Sequence, residues 1–274
     1  MIDRTLRSVA ALLAAGAVTV SAGAQAQAQD EEQSYILATA TTGGTYYPVG
    51  VAIATLIKIK LEPTMNFTMS AISSAGSGEN IALMRDGDVD FAILQGLYGA
   101  WAADGSGDYA EQGPQTYLRS VSMLWQNVEH FVLLSDLAET GTIEDLGSIG
   151  DGSFAIGRQN SGTWGSGMTI LTNLGIDTDA MDLVDSGGYT STVEALQNRN
   201  IVGANIPAGV PVSAITSAMA TMGGDVMVLD FTDEQMERAN GDYTLWTRYE
   251  IPPETYPGQT EPINTIAQAN FLAV

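Results

Sequence analysis

The fold of this chain is set by residues 37–50, which read LATATTGGTYYPVG. The apolar run from Tyr35 to Thr39 predicts a short strand that leads into this segment. A turn rich in glycine and threonine follows at residues 41–45, and helical spacing of apolar residues continues from residue 46 to residue 61. Pro48 falls in the first turn of that helix, where its missing N–H would have no partner. The segment therefore predicts a strand, a tight turn and a helix in succession.

The same succession returns further along the chain. Residues 67–72 alternate like a strand, residues 73–78 form a second small-residue turn, and residues 79–85 predict a short helix. A strand over residues 89–94 then ends at Gln95. Repeated strand–turn–helix units are typical of α/β domains with parallel strands, so we expect that fold class here.

A second α/β series begins near residue 136, which predicts two lobes with a ligand crevice at the carboxyl ends of their strands. The expected ranges are residues 30–135 for lobe I, 136–262 for lobe II and 263–274 for a strand that returns to lobe I. Residues 99–115 are rich in Gly, Asp and Ala, and they predict an exposed loop or an irregular helix.

Residues 1–28 have the pattern of a secretory signal peptide. Arg4 and Arg7 precede an apolar run from Val9 to Val20, and small residues that suit a cleavage site follow it. A membrane-spanning helix needs about 20 apolar residues, and this run is much shorter. No later stretch of the sequence qualifies as a span. We therefore expect an exported, periplasmic protein that does not itself cross the membrane.

The composition excludes several classes of protein. The chain carries 32 acidic and 10 basic residues, a formal net charge of -22, and such a surface repels nucleic acids. Only two lysines are present, and this acid excess fits either a salt-loving source or an ordinary acidic secreted protein. With no cysteine and a single histidine, disulfides, thiolate zinc sites and multi-histidine metal sites are excluded. We expect no metal and no cofactor.

Signatures of common enzyme classes are absent from the sequence. It contains no GxxxxGK phosphate loop, no GxGxxG motif, no GxSxG elbow and no HExxH motif. Asp86 and Asp88 form a carboxylate pair, but such pairs arise by chance in so acidic a chain and are expected on the solvated surface. His130 lies beside Phe131 and Val132, so we expect a partly buried histidine without a catalytic role. The chain is therefore expected not to be an enzyme.

Three turns carry the positive signal for function. Residues 42–45, 74–78 and 160–163 each precede a predicted helix and combine glycine with hydroxyl side chains. The N–H groups and the dipole at a helix start bind anions without a cationic side chain, and glycine lets a ligand approach the backbone. Ordinary helix capping explains a single turn of this kind equally well. Three in one chain, each after a strand, favour a small anionic ligand.

Other candidate ligand residues lie beside these turns. The side-chain amide of Gln95 both donates and accepts hydrogen bonds at the end of its strand. Tyr46 and Tyr47 either wall a pocket or pack in the core. Arg158, three residues before Ser161, either pairs with a ligand carboxylate or forms a surface ion pair with one of the many acids.

Residues 37–50 resemble the opening motif of the TAXI family, the solute-binding receptors of tripartite ATP-independent periplasmic (TRAP) transporters. The GGTYYP block is the most specific part of this resemblance, which spans roughly residues 35–274. Further segments are similar to motifs of the same family: GSGENI at 76–81, DVDFAILQ at 88–95, GRQNSGT at 157–163 and IPPETYPGQ at 251–259.

The resemblance implies a type II periplasmic-binding-protein fold, with two α/β lobes joined by hinge strands. It implies capture of a small solute between the lobes and delivery to a TRAP membrane permease. Known members favour organic anions and amino acids such as glutamate or related dicarboxylates. By matching position, the resemblance implies ligand contacts from Thr42, Gly44, Thr45, Tyr47, Ser77, Asn80, Gln95, Ser161, Gly162 and Thr163.

Two features depart from the family pattern. Arg158 stands where the family more often has a small residue, so we expect a more strongly anionic or differently placed ligand and count Arg158 among the ligand-binding candidates. The sequence ends at Val274, inside the expected return strand, whereas family members usually continue with helices that pack on lobe I. We expect either a fragment or a first lobe without part of its cover.

Two other functions stay open beside the solute receptor. A ligand-sensing subunit for a membrane kinase has the same fold and differs only in its partner. A secreted hydrolase with a carboxylate-dependent site predicts turnover, and it gives no reason for three anion-binding turns. The favoured prediction is a receptor that closes on an organic anion by hinge motion, without a catalytic step.

Overall fold

The computed structural model describes residues 33–274, and the expected signal peptide at residues 1–28 lies outside that range. In chain order the strands are β1 (Gln33–Ala38), β2 (Phe67–Ile72), β3 (Phe91–Gln95), β4 (Ser120–Val128), β5 (Phe131–Leu134), β6 (Ser153–Ala155), β7 (Asp182–Val184), β8 (Gly203–Asn205), β9 (Val226–Val228), β10 (Thr247–Ile251) and β11 (Ile263–Ala273). The helices are α1 (Tyr46–Lys60), α2 (Glu62–Met65), α3 (Ser77–Asp86), α4 (Gly96–Asp104), α5 (Gly162–Leu174), α6 (Tyr189–Gln197), α7 (Ser213–Met222) and α8 (Asp233–Asn240).

The strands form two mixed sheets, one in each lobe. In the lobe I sheet, β1 lies between β2 and β3 and is parallel to both. The long strand β11 runs antiparallel and pairs with β10, β3 and β4. In the lobe II sheet the order is β7-β6-β8-β5-β9, with β6 parallel to β7 and β8 and with β5 antiparallel to β8 and β9. The predicted α/β class with two lobes is therefore confirmed.

The chain passes from the first sheet to the second at residues 129–130, between β4 and β5. The predicted lobe boundary falls later, at residues 135–136, and β10 joins the lobe I sheet although the sequence places it in lobe II. The reason is that residues 131–134 are all buried and apolar. Such a run predicts an interior strand but carries no information about which sheet the strand enters.

Local sequence explains most of these elements. Helix α1 forms where the apolar spacing predicts a helix. Helix α3 ends at Asp86, and the next residue, Gly87, has a φ of 77°, in the left-handed region that glycine adopts without strain. An exposed loop or irregular helix was expected for residues 99–115, but residues 99–104 belong to the regular helix α4. Tyr98 and Trp101 of α4 are buried in the main core cluster, so tertiary packing stabilises a segment whose Gly-rich composition predicts little.

The core extends through both lobes. The largest cluster of buried side chains includes Leu94 and Tyr98 from lobe I as well as Phe131, Phe154 and Ile170 from lobe II. Apolar burial of this kind is the main stabilising term of the fold. Among the described residues, no helix is long and apolar enough to cross a membrane.

Candidate functional site

A crevice between the lobes lies at the carboxyl ends of parallel strands from both sheets. Residues at or just after the ends of four strands line it: Ala40 after β1, Gln95 of β3, Ala155 of β6 and Asn205 of β8. This is the position at which open α/β sheets bind ligands. The fold therefore places the crevice where the sequence predicts the ligand site.

Four helix starts form the wall of this pocket, and we call them the helix-start wall. They are the starts of α1 at Thr45, α3 at Gly76, α5 at Ser161 and α6 at Gly188, all of which line the pocket. A Cβ built on Gly76 would lie 3.5 Å from the backbone nitrogen of Gly162, so the α3 and α5 starts lie side by side where the lobes meet. The positive ends of four helix dipoles thus converge on one space.

The helix-start wall offers backbone donors rather than capping side chains. The N-caps of α1, α3 and α6 make no side-chain capping hydrogen bond. Only Ser161 caps its own helix, because its Oγ accepts a hydrogen bond from the Trp164 N–H at 3.1 Å. Gly76 and Gly188 have φ values of 119° and 128°, which a residue with a side chain rarely adopts. The starts of α1, α3 and α6 thus have first-turn N–H groups that no N-cap side chain occupies.

The α6 start is the part of the wall that sequence reasoning missed. Residues 186–190 read SGGYT, which resembles TGGTY at residues 42–46 in the first lobe. Both follow a strand and open a helix. A search for a second hydroxyl–Gly–Gly pattern after a short strand would have found it.

Eight of the eleven predicted ligand residues line the pocket. They are Gly44, Thr45, Ser77, Gln95, Arg158, Ser161, Gly162 and Thr163. The other three lie outside the lining. Thr42 is exposed, and Tyr47 is half-buried beside its neighbour Tyr46, which does line the pocket.

Asn80, the third residue outside the lining, is fully buried behind the wall. Its Nδ2 donates to the carbonyls of Thr39 at 2.7 Å and Ile93 at 3.0 Å, and its Oδ1 accepts from Ser74 Oγ at 2.6 Å. The amide is thus committed to other protein groups. It holds the turn after β1, the end of β3 and the turn before α3 in fixed relation.

One tyrosine from each lobe, Tyr46 of α1 and Tyr189 of α6, lines the pocket. Tyr46 donates its O–H to Asn270 Oδ1 at 2.5 Å, and Tyr189 donates its O–H to the carbonyl of Pro207 at 2.8 Å. The Tyr189 oxygen also accepts from Thr163 Oγ1 at 2.8 Å. Burial raises the pKa of both tyrosines, so both stay neutral. Their rings therefore serve as uncharged side walls.

Three buried side-chain amides line the pocket, and we call Gln95, Asn127 and Asn205 the amide floor. Each is at most 2% exposed, and each lines the pocket. Gln95 Nε2 donates to the carbonyl of Gly162 at 2.6 Å, and Gln95 Oε1 accepts from Asn127 Nδ2 at 3.2 Å. Asn127 and Asn205 were not among the predicted residues. No local motif marks them, because only strand register and lobe packing bring them together.

A buried carboxylate lies behind the amide floor. Glu129 is fully buried, and it accepts hydrogen bonds from Trp246 Nε1 and Ser166 Oγ, both at 3.3 Å. The nearby side-chain amides of Asn205 and Gln268 also favour its charged form. Burial raises the pKa of Glu129 to about 7, and these donors oppose that rise by stabilising the charged form.

His130 is fully buried beside Glu129, more deeply than the sequence predicts. Its Nδ1 lies 3.0 Å from the carbonyls of both Val128 and Ile206, and its Nε2 accepts from the hydroxyl of Tyr256 at 2.8 Å. Burial lowers its pKa to about 4. The neutral ring holds the crossing segment to lobe II and does not line the pocket.

Arg158 and Asp185 form an ion pair at the mouth of the pocket. Arg158 Nε lies 3.3 Å from Asp185 Oδ2, and both side chains are about half exposed. The sequence left a surface ion pair and a ligand contact as alternatives for Arg158. The structure shows the ion pair, in a position that also lines the pocket.

The two lobes touch directly around the crevice. Gly209 N donates to Thr45 Oγ1 at 2.9 Å, and Glu79 N donates to the carbonyl of Asn160 at 3.2 Å. A Cβ built on Gly78 would lie 2.2 Å from the carbonyl oxygen of Asn160. This approach is possible only because residue 78 is glycine. The arrangement is therefore the closed form of a two-lobed crevice.

A family model for NMT1-like proteins matches residues 37–274. The chain belongs to the NMT1-like family. Solved structures resemble this NMT1-like chain at low sequence identity. A protein from Bordetella bronchiseptica RB50 is 13% identical with a TM-score of 0.53, over 88% of this chain and 63% of that one. The binding-protein component of an ABC phosphonate transporter from Pseudomonas aeruginosa is 10% identical with a TM-score of 0.52, over 89% and 68%.

A third structure, from Candida albicans, is described as having the generic periplasmic binding protein fold. It is 11% identical with a TM-score of 0.50, over 88% of the NMT1-like chain and 63% of its own length. The NMT1-like chain thus spans less than two thirds of the length of several structures that it matches. Such identities establish the fold alone, and the predicted periplasmic-binding-protein fold is confirmed. The narrower resemblance to the TAXI family stays a prediction.

Within residues 33–274, no group of three or more His, Cys, Asp or Glu residues is arranged to hold a metal ion. The chemistry of the pocket comes instead from backbone N–H groups, hydroxyls and amides. Such groups can donate and accept hydrogen bonds to a small polar molecule.

Proposed function

We propose that this NMT1-like chain is a periplasmic solute-binding receptor, which captures a small organic anion or amino acid between its lobes and delivers it to a membrane permease. The observation that carries this proposal is the convergence of four helix starts on one interlobe crevice. The N-termini of helices attract negative charge through their N–H groups and dipoles. A carboxylate on the helix-start wall would receive hydrogen bonds from both lobes, and so it would hold them together.

The charge of the lining supports recognition by backbone groups. Among the described residues that line the pocket, Arg158 is the single cation, and it pairs with Asp185. The phosphonate-binding relative from Pseudomonas aeruginosa, by its name, takes an anion as well. An anion bound by neutral donors can be released when the lobes separate, because no buried countercharge remains behind. That property suits a receptor that passes its ligand on.

We further propose that the permease belongs to a TRAP transporter and that the receptor acts in the periplasm. The GGTYYP block supports the first point, since its Gly44, Thr45 and Tyr46 line the pocket. The signal-peptide pattern at residues 1–28 supports the second.

The test is a thermal-shift screen of the purified chain at low and high salt. The panel contains amino acids, dicarboxylates, oxoacids, neutral sugars and peptides. Binding to the folded state alone stabilises it by about 2.7 kcal/mol at a hundredfold excess over the dissociation constant. We expect a raised unfolding midpoint with one or more carboxylates and none with sugars. The proposal is contradicted if only sugars raise the unfolding midpoint. It is also contradicted if the protein unfolds cooperatively and no compound raises the midpoint.

A further inference from the structure

Glu129 is a buried carboxyl group that the proposed function does not use. It is fully buried, and it lies where the chain passes from β4 in lobe I to β5 in lobe II. No ion pair among residues 33–274 includes it. A carboxylate removed from water is costly unless a cation neutralises it, so a carboxyl group in such a place readily binds a proton.

The carboxyl group has hydrogen-bond partners in both of its protonation states. Its Oε1 lies 3.3 Å from Trp246 Nε1, which can only donate. Its Oε2 lies 3.3 Å from Ser166 Oγ, and that hydroxyl lies 3.4 Å from the carbonyl of Thr163. When Glu129 is charged, Ser166 donates to it. When Glu129 is protonated, its O–H donates to Ser166 Oγ, and the Ser166 hydroxyl donates to Thr163. A proton can therefore bind or leave without repacking of these side chains.

Glu129 lies within electrostatic range of the pocket. Thr163 and Asn205 line the pocket, and both belong to the immediate surroundings of Glu129. Burial is the main cause of the raised pKa of Tyr46 and Tyr189, the tyrosines of the described lining, and the charge of Glu129 adds to it. An anion in the pocket acts on Glu129 through the same poorly solvated interior, where charges interact more strongly than in water.

We propose that Glu129 binds a proton together with each anion that the pocket takes up. This inference rests on the proposed function and adds a proton, bound behind the pocket, as a second ligand. A bound anion and a charged Glu129 repel each other, so the anion favours the protonated carboxyl group. The coupling is reciprocal, because the proton on Glu129 favours the bound anion by the same factor. The proton comes from the solvent and forms an O–H bond on Glu129, and no other covalent bond changes.

The other groups around Glu129 do not supply this proton uptake near neutral pH. The side chains next to its carboxyl group on α5, β8, β11 and the segment before β10 are uncharged. Burial lowers the pKa of His130 to about 4, and it raises the pKa of Tyr46 and Tyr189. The one carboxylate of the described lining is Asp185, which is partly exposed at the mouth. Asp185 is therefore the residue against which Glu129 must be tested.

The experiment is isothermal titration calorimetry of the full chain in Bis-Tris, imidazole and Tris. These buffers are not anions, so they do not compete for the pocket, and their different ionisation enthalpies give the number of protons taken up per ligand. The probes are pyruvate, succinate, glutarate and L-glutamate. At pH 7 we expect an uptake of at least about 0.3 proton per anion, because binding raises the proton occupancy of a group that is about half protonated.

The pH profile of the parent chain tests the site without a variant. For pyruvate and L-glutamate, the uptake should be largest between about pH 7 and pH 8 and small near pH 5, where Glu129 already holds its proton. The affinity should be about threefold to tenfold higher at pH 6 than at pH 8. An ordinary exposed carboxyl group would instead take up protons near pH 4.

Two variants assign the uptake to its residue. Glu129→Gln keeps an acceptor for Trp246 and a donor for Ser166 but cannot titrate. We expect its uptake at pH 7 to fall below about 0.1 proton and its affinity to be equal at pH 6 and pH 8 within about twofold. Asp185→Asn is the control, because it removes the carboxylate at the mouth, and it should keep the uptake of the parent. Cooperative thermal unfolding verifies that both variants are folded.

The outcomes separate this inference from the proposed function. Binding of a probe to the parent without proton uptake, or with proton release, overturns the proton site and leaves the anion receptor in place. Uptake that persists in folded Glu129→Gln, or that is lost in Asp185→Asn, overturns the assignment to Glu129. An uptake that peaks near pH 4 on the parent chain does the same. If none of the four probes binds, both the anion receptor and its coupled proton are contradicted.

Discussion

The helix-start wall and the amide floor of the pocket are built from different parts of the polypeptide. The wall presents main-chain N–H groups at four helix starts, three of them without a capping side chain. The floor presents the buried side-chain amides of Gln95, Asn127 and Asn205. The wall donates hydrogen bonds, whereas the unpaired atoms of the floor accept them.

The wall and the floor should therefore respond differently to substitutions. Main-chain donors survive a change of side chain as long as the helix start keeps its conformation. An amide side chain is lost with its residue, and its buried neighbours then lack a partner. The wall should therefore tolerate polar substitutions that the floor does not, and it should fail only where backbone approach is blocked.

The largest effect is expected at Gly78, where the backbones of the two lobes meet. Gly78→Ala would place Cβ 2.2 Å from the carbonyl oxygen of Asn160, so the closed form cannot persist unchanged. We expect ligand affinity to fall roughly 1,000-fold, about 4 kcal/mol, because a ligand then contacts the wall of one lobe at a time. Calorimetry with the best ligand of the screen measures this loss.

Gly147→Ala is the matched control, because a Cβ there meets nothing within 4 Å and Gly147 does not line the pocket. Its affinity should equal that of the parent chain. Small-angle scattering should show that Gly78→Ala is folded. With ligand present, the variant should be more extended than the parent chain. Unchanged affinity of Gly78→Ala would refute closure at this contact.

The second-largest effect is expected on the free energy of unfolding, at Glu129 behind the amide floor. Its pKa is raised from 4.5 to about 7, so between these pH values the folded protein holds a proton that the unfolded chain has lost. The free energy of unfolding then falls as pH rises through this window. Relative to the parent, Glu129→Gln should gain roughly 2–3 kcal/mol of stability between about pH 5 and about pH 8. Urea unfolding at several pH values measures the difference.

Other titratable groups near Glu129 do not disturb this comparison. Tyr46 and Tyr189 face its charge and stay neutral, because burial raises their pKa. His130 acts in the opposite sense, since its pKa is lowered from 6.5 to about 4 and its contribution to stability is lost as pH falls through that range. The His130 contribution is present in parent and variant alike and cancels. A stability difference that is constant with pH would contradict a raised pKa for Glu129.

A smaller effect is expected at Ser161, where a pair of variants distinguishes helix capping from ligand binding. Ser161→Ala removes the cap of α5, and Thr232→Ala removes the capping box of α8 away from the pocket. Both should lose about 1 kcal/mol of stability in chemical denaturation. Only Ser161→Ala should also weaken anion binding, by about threefold to tenfold, since one hydroxyl donor is lost while the backbone donors remain. If the two variants bind the anion with equal affinity, Ser161 does not contact the ligand.

The smallest effect is expected at the mouth. Arg158→Gln breaks an exposed ion pair with Asp185, and exposed pairs contribute little in water. We expect ligand affinity to change less than about threefold and stability to stay within about 0.5 kcal/mol. Arg85→Gln, which breaks the comparable pair with Asp86, serves as the control. A tenfold loss of affinity for Arg158→Gln alone would add this arginine to the ligand contacts.

Much of the wall was predictable because it consists of local motifs. Turns that combine glycine with hydroxyls mark the starts of α1, α3 and α5 in the sequence, and all three line the pocket. The choice between Tyr46 and Tyr47 was not predictable in the same way. Both are aromatic, and the direction in which the helix starts decides which ring faces the crevice.

The floor was largely hidden from sequence reasoning. Gln95 was found because it ends a strand after an apolar run, but Asn127 and Asn205 carry no such mark. Asn80 shows the opposite error, a predicted ligand residue that does not line the pocket. It lies in a helix start near the pocket, but its amide turns to the protein interior. A residue's type gives its bonding capacity, but its partners depend on the strands that pack around it.

The strand–turn–helix units and the acidic surface could be predicted without a structure, because periodicity, turn chemistry and charge are properties of neighbouring residues. The sequence also determined three of the four helix starts that form the wall. Tertiary structure alone decided which sheet β5 and β10 join, which groups the floor leaves unpaired, and how deeply Glu129 is buried. These properties depend on contacts between residues far apart in the chain, such as Gln95 with Gly162, which no local pattern encodes.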